Sequence, residues 1–504
     1  MIANTRWLFT AMCLIFIFEA NSQNADSAYG ERYRPQIHFS PKKGWMNDPN
    51  GMVYFNGKYH LFFQHNPNST VWGPMHWGHA ISTDLVHWKE LPIALYPDAL
   101  GTIFSGSAVI DKNNTAGFGA NAMVAIFTSH NHTMEKEGFE KVETQSIAYS
   151  LDEGNTWTKY KGNPVLPNPG IRDFRDPKVT WHEPTQKWIM TLATKDHITF
   201  YSSADLKNWS EESKFGKNSG AHGGVWECPD LFPLNYEGKE IWVLIVNIGS
   251  GGPNGGSATQ YFTGHFDGHH FTANDAETKW LDYGVDNYAG ITWSNTGDKK
   301  IFIGWMSNWA YANVVPTVNW RSANTFAREL AIKKAGEKYF VSSVPVAEIN
   351  LLKAASYNAK KIKAGNINIT SKAGKMNGAA ILNLTTDHLK SFRIILSNNA
   401  GEKLLLGYNE KTDQYYIDRS RSGNIAFAKD FGQKITAPRL TTENNADLTL
   451  IIDAASVELF ADKGLSVLTA IFFPTSHYTH ITLTSDDGIL INQLNFTHLN
   501  SIWK

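Results

Sequence analysis

Between about residues 45 and 330 the apolar positions fall in short runs cut by Gly, Pro, Asn and Asp. The runs at 52–55, 59–63, 123–128, 187–193, 241–248 and 301–305 have strand length and are bounded by turn residues. Nothing in this half keeps the spacing of an amphipathic helix. The pattern predicts an all-β fold. A short motif recurs within it: Ser82-Thr83-Asp84-Leu85-Val86-His87-Trp88 is echoed around Asp152 and Trp157, around Asp205 and Trp209, and more weakly around Asp267 and Phe271. The aspartates are 68, 53 and 62 residues apart. Units of roughly 60 residues with about four short strands each suit the blades of a β-propeller, and the span holds close to five. A chance recurrence of Asp-turn-Trp is the alternative reading of this repeat.

Beyond the propeller-like part the texture changes. Lys333, Lys334, Glu337 and Lys338 form a charged stretch that reads as a connector. After it Trp503 is the one tryptophan left, and alternating runs at 391–396, 448–452, 456–460 and 481–484 predict a β-sandwich. The expected organisation is a propeller over 35–335, a linker over 336–350 and a sandwich over 351–504. Residues 1–22 read as a secretory signal: Arg6, an apolar run over 8–18, then Ala20-Asn21-Ser22. Cys13 would leave with it, so the mature chain would carry Cys228 alone and be held by its core.

Composition narrows the partners. Forty-six Lys and Arg face 47 Asp and Glu, a balance that argues against nucleic acid or an anionic membrane. Charged residues make up 18% while aromatic residues reach 13%, which suits a neutral ring-shaped ligand such as a sugar. The 18 histidines include no His-Glu-x-x-His or comparable metal spacing, so core or surface roles are expected for nearly all of them. A Gly-rich stretch at 249–256 lacks the Lys-Ser/Thr of a phosphate loop and reads as a flexible loop.

Three polar clusters stand out. Asp48, in Trp45-Met46-Asn47-Asp48-Pro49-Asn50-Gly51, is either the acceptor of an Asx-turn or a reactive carboxylate. Arg172-Asp173-Phe174-Arg175-Asp176-Pro177 is either a surface ion-pair cluster or a site in which Arg175 orients Asp176 toward sugar hydroxyls. In Trp226-Glu227-Cys228-Pro229-Asp230, apolar neighbours would raise the Glu227 pKa and keep a proton available for donation; a strand-end glutamate without a role is the alternative. Asp48 and Glu227 are 179 residues apart, and converging blade ends would bring them together.

Taken in order, these segments resemble glycoside hydrolase family 32, the invertases, levanases and inulinases. The likeness also runs through Phe63-Gln64-His65-Asn66-Pro67, Trp72-Gly73-Pro74-Met75-His76-Trp77-Gly78, Phe104-Ser105-Gly106-Ser107 and Gly304-Trp305-Met306-Ser307-Asn308-Trp309. It continues into the second domain through Ser456-Val457-Glu458-Leu459-Phe460. The resemblance implies a five-bladed propeller followed by a sandwich. It implies Asp48 as nucleophile, Glu227 as acid/base and Asp176 as transition-state stabiliser. Trp45, Asn47, Gln64, Trp72, Phe104, Ser105, Arg175 and Trp309 would then bind the substrate together with Asp176 and Glu227. The implied activity is a secreted, retaining exo-β-fructofuranosidase acting on levan, inulin or sucrose without metal or organic cofactor, with a sucrose-preferring invertase or a transfructosylase of the same fold, or a non-catalytic fructan-binding propeller, as alternatives. Asn287 and His265 depart from the family pattern at positions expected to shape the pocket rim.

Overall fold

A computed structural model describes residues 29–503; the signal segment and Cys13 lie outside them. Five sheets, each of four or five strands, form the blades of a propeller, and a larger sheet system follows. The innermost strands, one per blade, are Gly44–Phe55, Thr102–Asp111, Phe174–His182, Trp226–Tyr236 and Tyr288–Thr292. They adjoin one another in a ring, and each blade then meanders outward in antiparallel hairpins. The ring closes between the last blade and the first. Tyr54 N–H donates to the Ser294 carbonyl at 2.9 Å, Ser294 N–H to the Met52 carbonyl at 3.0 Å, and the Trp293 indole to the His60 carbonyl at 2.9 Å.

The Asp-centred repeat is the outer hairpin of blades one to four. Asp84 Oδ1 accepts from the backbone N–H of Val86 and His87, Asp205 Oδ1 from Lys207 and Asn208, and Asp267 Oδ1 from His269 and His270. In blade two Asp152 Oδ1 accepts from Thr156 N–H. The residue after each aspartate takes a positive φ: Leu85 64°, Glu153 58°, Leu206 62° and Gly268 93°. The carboxylate satisfies the donors this left-handed turn frees, which offsets the cost of placing a side chain there. In the fifth blade, Gly336 makes the equivalent turn at φ 59° without an aspartate.

That hairpin also corrects a boundary. Residues 336–350 were expected to be a linker, but Lys338–Pro345 is a strand paired with Arg328–Ala335 from Ala335↔Lys338 to Arg328↔Pro345. Lys333, Lys334, Glu337 and Lys338 are charged because they sit at the solvated tip of this hairpin, not because the chain is unstructured there.

In the second domain the 20-residue strand His480–Leu499 bends between two layers. Its first part pairs with Phe392–Ser397 and its last part with Ala379–Thr386. Lys353–Asn368 runs along its whole length. Leu450, Leu459, Leu468, Leu406, Ile417 and Phe496, all fully buried, are part of the core between the layers.

Buried charges tie the domains together. Arg328, in the fifth blade, pairs with Asp282 at 2.9 Å and with Glu458 of the sandwich; Arg419 of the sandwich reaches Asp286 at 2.9 Å. His38 bridges Asp453 at 2.7 Å and Glu458 at 2.9 Å. The glycine-rich stretch takes part. Asn254 donates to the carbonyls of Tyr283 (2.7 Å) and Thr436 (2.8 Å), so the segment expected to be a flexible loop is pinned against the sandwich.

Candidate active site

All five innermost strands are interrupted at one level. Residues 47–48, 104–105, 176–177, 228–229 and 289–290 each form a bulge, two residues opposite one on the neighbouring strand. A bulge breaks the ladder, re-aims a side chain and releases a backbone donor, so proline is tolerated there. Pro49, Pro177 and Pro229 mark three of these positions, and Gly106 and Gly290 the other two. A Cβ on Gly106 would lie 2.0 Å from the Ile126 carbonyl oxygen, so that strand cannot carry a larger residue. Asp176, Cys228 and Ala289 sit in the bulges at φ 64°, 41° and 51°. Such backbone costs of order 1–3 kcal/mol at a non-glycine residue and concentrates where a site demands it.

The bulges deliver Asp48, Ser105, Asp176 and Glu227 to a pocket of ≈ 340 Å³ at one end of the propeller. Asp48 Oδ1 accepts from Asn47 Nδ2 and Asp48 Oδ2 from Ser105 Oγ, both at 2.8 Å. Asp176 Oδ2 accepts from Cys228 N–H at 3.0 Å. The Cys228 thiol lies between the two, 3.5 Å from Asp48 Oδ2 and 3.6 Å from Asp176 Oδ2. Glu227 Oε1 takes Arg175 Nε at 3.2 Å and Nη2 at 3.1 Å, and Tyr288 Oη donates to Glu227 Oε2. Arg175 Nη1 is held from behind by Asp173 at 2.7 Å and Glu143 at 3.1 Å.

Burial and crowding set the charges. Desolvation raises the Asp176 pKa; Arg175 opposes this, and the charges of Glu227 and Asp48 add to it. Burial likewise pushes Glu227 up, against the pull of Arg175 and the Tyr288 hydrogen bond and with help from the Asp48 charge. Acidic groups packed this closely resist ionising together, so the cluster retains a proton that isolated carboxyls would lose. Burial, then the Asp176, Asp48 and Glu227 charges, push the Cys228 thiol well above its usual range, which keeps it protonated and unreactive.

Indole and phenyl rings form the walls. Trp72 is 37% exposed at the mouth and meets Phe104 edge-on with centroids 6.1 Å apart. Phe104 stacks on His130 at 4.3 Å. Trp309 faces the pocket from the fifth blade, packed on Trp305 at 4.8 Å.

Of the residues expected at the site, Asp48, Asp176, Glu227, Asn47, Gln64, Trp72, Phe104, Ser105, Arg175 and Trp309 all line this pocket. Trp45 does not. It is fully buried, donates to Asn47 Oδ1 at 2.7 Å and backs the Trp309 ring at 6.0 Å, so it supports the wall from behind. Asn287 and His265, expected at the rim, lie elsewhere. Asn287 is fully buried beside Gly304, and His265 is exposed near the outer end of the third strand of blade four. The sequence alone does not single out Tyr288, Glu143 or His130, and it marks Asp173 only as a member of the ion-pair cluster around Arg175. The Tyr288-Ala289-Gly290 step repeats the bulge pattern of the other blades and was the available signal; the partners of Glu143 and His130 emerge only from the fold.

Residues 38–343 match the family described as "Glycosyl hydrolases family 32 N-terminal domain", and residues 348–502 match "Glycosyl hydrolases family 32 C terminal". The chain is 44% identical to a levanase of Bacillus subtilis over 98% of its own length and 74% of that protein. It is 40% identical to an extracellular exo-inulinase of Aspergillus awamori, covering 91% of this chain and 93% of that one. The crystal structure of exo-inulinase from Aspergillus awamori superposes with a TM-score of 0.86 at 37% identity, over 94% of this chain and 100% of that chain.

Proposed function

The chain belongs to glycosyl hydrolase family 32, and from that premise we propose that it is a secreted, retaining exo-β-fructofuranosidase that removes terminal fructose from levan, inulin and sucrose. It is a glycoside hydrolase of the β-fructosidase type. The observation that carries the finer reading is the convergence of Asp48, Asp176 and Glu227, from three blades, on one pocket walled by Trp72, Phe104 and Trp309.

Asp48, oriented by Asn47 and Ser105, attacks the anomeric carbon of the terminal fructose. Glu227, its proton favoured by burial, passes that proton to the departing glycosidic oxygen as the bond breaks. Glu227, now ionised, takes a proton from water as the water oxygen attacks the fructosyl ester, which frees Asp48 and returns Glu227 to its acid form. Asp176 and Arg175 hold ring hydroxyls at the closed end, so a chain enters by its non-reducing tip. Secretion rests on the signal-like N-terminal segment and on relatives described as extracellular.

A time course on levan, inulin and sucrose, followed by product sizing and NMR of the first-formed anomer, tests each part. Free β-fructofuranose as the first dominant product is expected. The α anomer formed first would overturn retention. Early oligosaccharides without free fructose would overturn exo attack. Products longer than the substrate at high sucrose would mark transfer to a sugar in place of water, and no release from any substrate would leave a binding propeller. Sequencing the N-terminus of protein recovered from culture medium tests secretion.

A further inference from the structure

The rim of the pocket carries a cluster that the mechanism above does not use. His130 ends the second strand of blade two, and His132 and Glu135 lie on the one-turn helix His132–Lys136 that follows. Glu135 Oε2 is 3.1 Å from His130 Nε2 and 3.4 Å from His132 Nδ1, and one donor atom from each of the three residues falls within 4.8 Å of the others. Zinc with bonds of about 2.0–2.1 Å places tetrahedral donors about 3.3 Å apart, so both His–Glu separations already fit and the two imidazole nitrogens, within 4.8 Å of each other, need close by no more than about 1.5 Å.

Two further features point to a metal. His130 Nδ1 is 3.2 Å from Glu143 Oε1, the carboxylate–imidazole arrangement that fixes the ring and leaves Nε2 for an ion. The imidazoles are also held in place: Phe104 stacks on His130 with an interplanar angle of 7°, Trp72 meets His132 edge-on at 5.9 Å, and Asn131 Oδ1 caps the helix by accepting from Met134 N–H at 3.1 Å. The competing cation is Arg172, whose Nη2 lies 3.6 Å from Glu135 Oε1; its side chain is 70% exposed and free to withdraw.

We propose that His130, His132 and Glu135 form a site for a borderline divalent cation of the zinc class, and that occupation of this site obstructs the pocket mouth. Two imidazoles and one carboxylate suit zinc rather than calcium or magnesium, which favour all-oxygen sets. Three protein donors leave a position for water or a sugar hydroxyl. His130 and Glu135 line the pocket, so an ion between them occupies space that the second sugar of a chain needs. Binding stands independently of the proposed activity; the inhibitory consequence rests on it.

The test is calorimetric titration of the full chain with zinc ion, alongside fructose release from inulin. One zinc per chain is expected. His132→Ala should bind at least about tenfold more weakly, because it loses a ligand where loss of an outer partner alone costs that much. Zinc should raise KM for inulin several-fold in the parent and leave His132→Ala unaffected, while the variant's zinc-free activity stays unchanged. Glu135→Ala provides a second ligand deletion should His132→Ala lose thermal stability. His388→Ala, at an exposed imidazole in the sandwich, should behave as the parent. Equal zinc binding by the parent, His132→Ala and Glu135→Ala would overturn the site, as would no heat up to millimolar zinc. Zinc binding that depends on His132 without any change in KM would overturn the obstruction. A chain that binds zinc but releases no fructose would instead count against the activity.

Discussion

The two ends of the propeller channel hold cavities of similar size and opposite character. The pocket at the bulged ends of the inner strands measures ≈ 340 Å³, and a cavity at their far ends measures ≈ 410 Å³. Between them lies a void of ≈ 10 Å³, ringed in part by Pro49, Pro177 and Pro229. At the far end charge is matched. Lys178 Nζ donates to the Thr292 carbonyl at 2.6 Å and lies 3.3 Å from Asp230 Oδ2, which also accepts from Thr292 N–H and Oγ1. At the bulged end charge is unmatched. Glu227, Glu143 and Asp173 all pair with one guanidinium, whose charge also opposes that of Asp176, and Asp48 has only the neutral donors Asn47 and Ser105. Cavity volume alone would select the wrong end. Uncompensated carboxylates on a strained backbone, rather than empty space, distinguish chemistry from architecture.

The largest expected effect breaks the bulged end. Asp48→Ala should lower kcat by more than about a hundredfold, since no fructosyl-enzyme can form, with the melting temperature little changed. Glu227→Ala should be as slow on inulin but recover in part on a fructoside with a good leaving group, which needs less proton donation. Stopped assays on purified protein check both, and an Asp48→Ala enzyme keeping over a hundredth of parent activity would refute the assignment.

The next variant breaks the other end. Asp230→Ala leaves the buried Lys178, 6% exposed, without its counter-charge, a loss that costs about 3–5 kcal/mol of stability. Calorimetry should show a clear drop in melting temperature, while kcat of the folded protein stays within about twofold. A folded Asp230→Ala protein without turnover would make the two ends chemically continuous and end the contrast.

Much of the architecture was legible because it recurs. The Asp-turn repeat is visible in sequence since a side chain replaces backbone hydrogen bonds at a fixed offset, and its period gave the blades. The bulge repeat was harder to see. Asp48-Pro49, Ser105-Gly106, Asp176-Pro177, Cys228-Pro229 and Ala289-Gly290 have no one residue type common to all at the first position, and the second is one of two breakers, Pro or Gly. Ten of the eleven expected pocket residues do line it; Trp45 does not, because bulging turns Asn47 and Asp48 inward and leaves the indole behind them. The linker was misread because solvated hairpin tips and linkers have the same composition. Glu143 and His130 were invisible because Glu143 is joined to Arg175, and His130 to Glu143, across strands and not along the chain.

A subtler test stays within the bulged end. The Tyr288 hydroxyl donates to Glu227 and so favours its ionised form. Tyr288→Phe removes that donor and should raise the Glu227 pKa further. The acid must hold its proton to act, so activity persists below that pKa and is lost as pH rises through it. The alkaline limb of kcat/KM against pH should therefore move upward, by about one unit or less. A downward shift would reverse the role given to Tyr288.

The smallest effect concerns the thiol at the centre of the cluster. By sequence, Cys228 adjoins Glu227 as one of the neighbours expected to raise its pKa; in the fold its Sγ faces Asp48 and Asp176. A thiol is a weak donor, and at 3.6 Å it favours the ionised form of Asp176 only slightly. Cys228→Ala should therefore make ionisation of Asp176 a little harder, so the acidic limb, to which Asp176 contributes, moves to higher pH by a fraction of a unit while the alkaline limb stays in place. With Tyr288→Phe moving only the opposite limb, the pair of profiles separates the two sides of the cluster. Mild alkylation of the parent should leave activity intact, because burial keeps this thiol protonated and 5% accessible. Rapid inactivation by the reagent, absent in Cys228→Ala, would show that the bulged end opens far more than its packing implies.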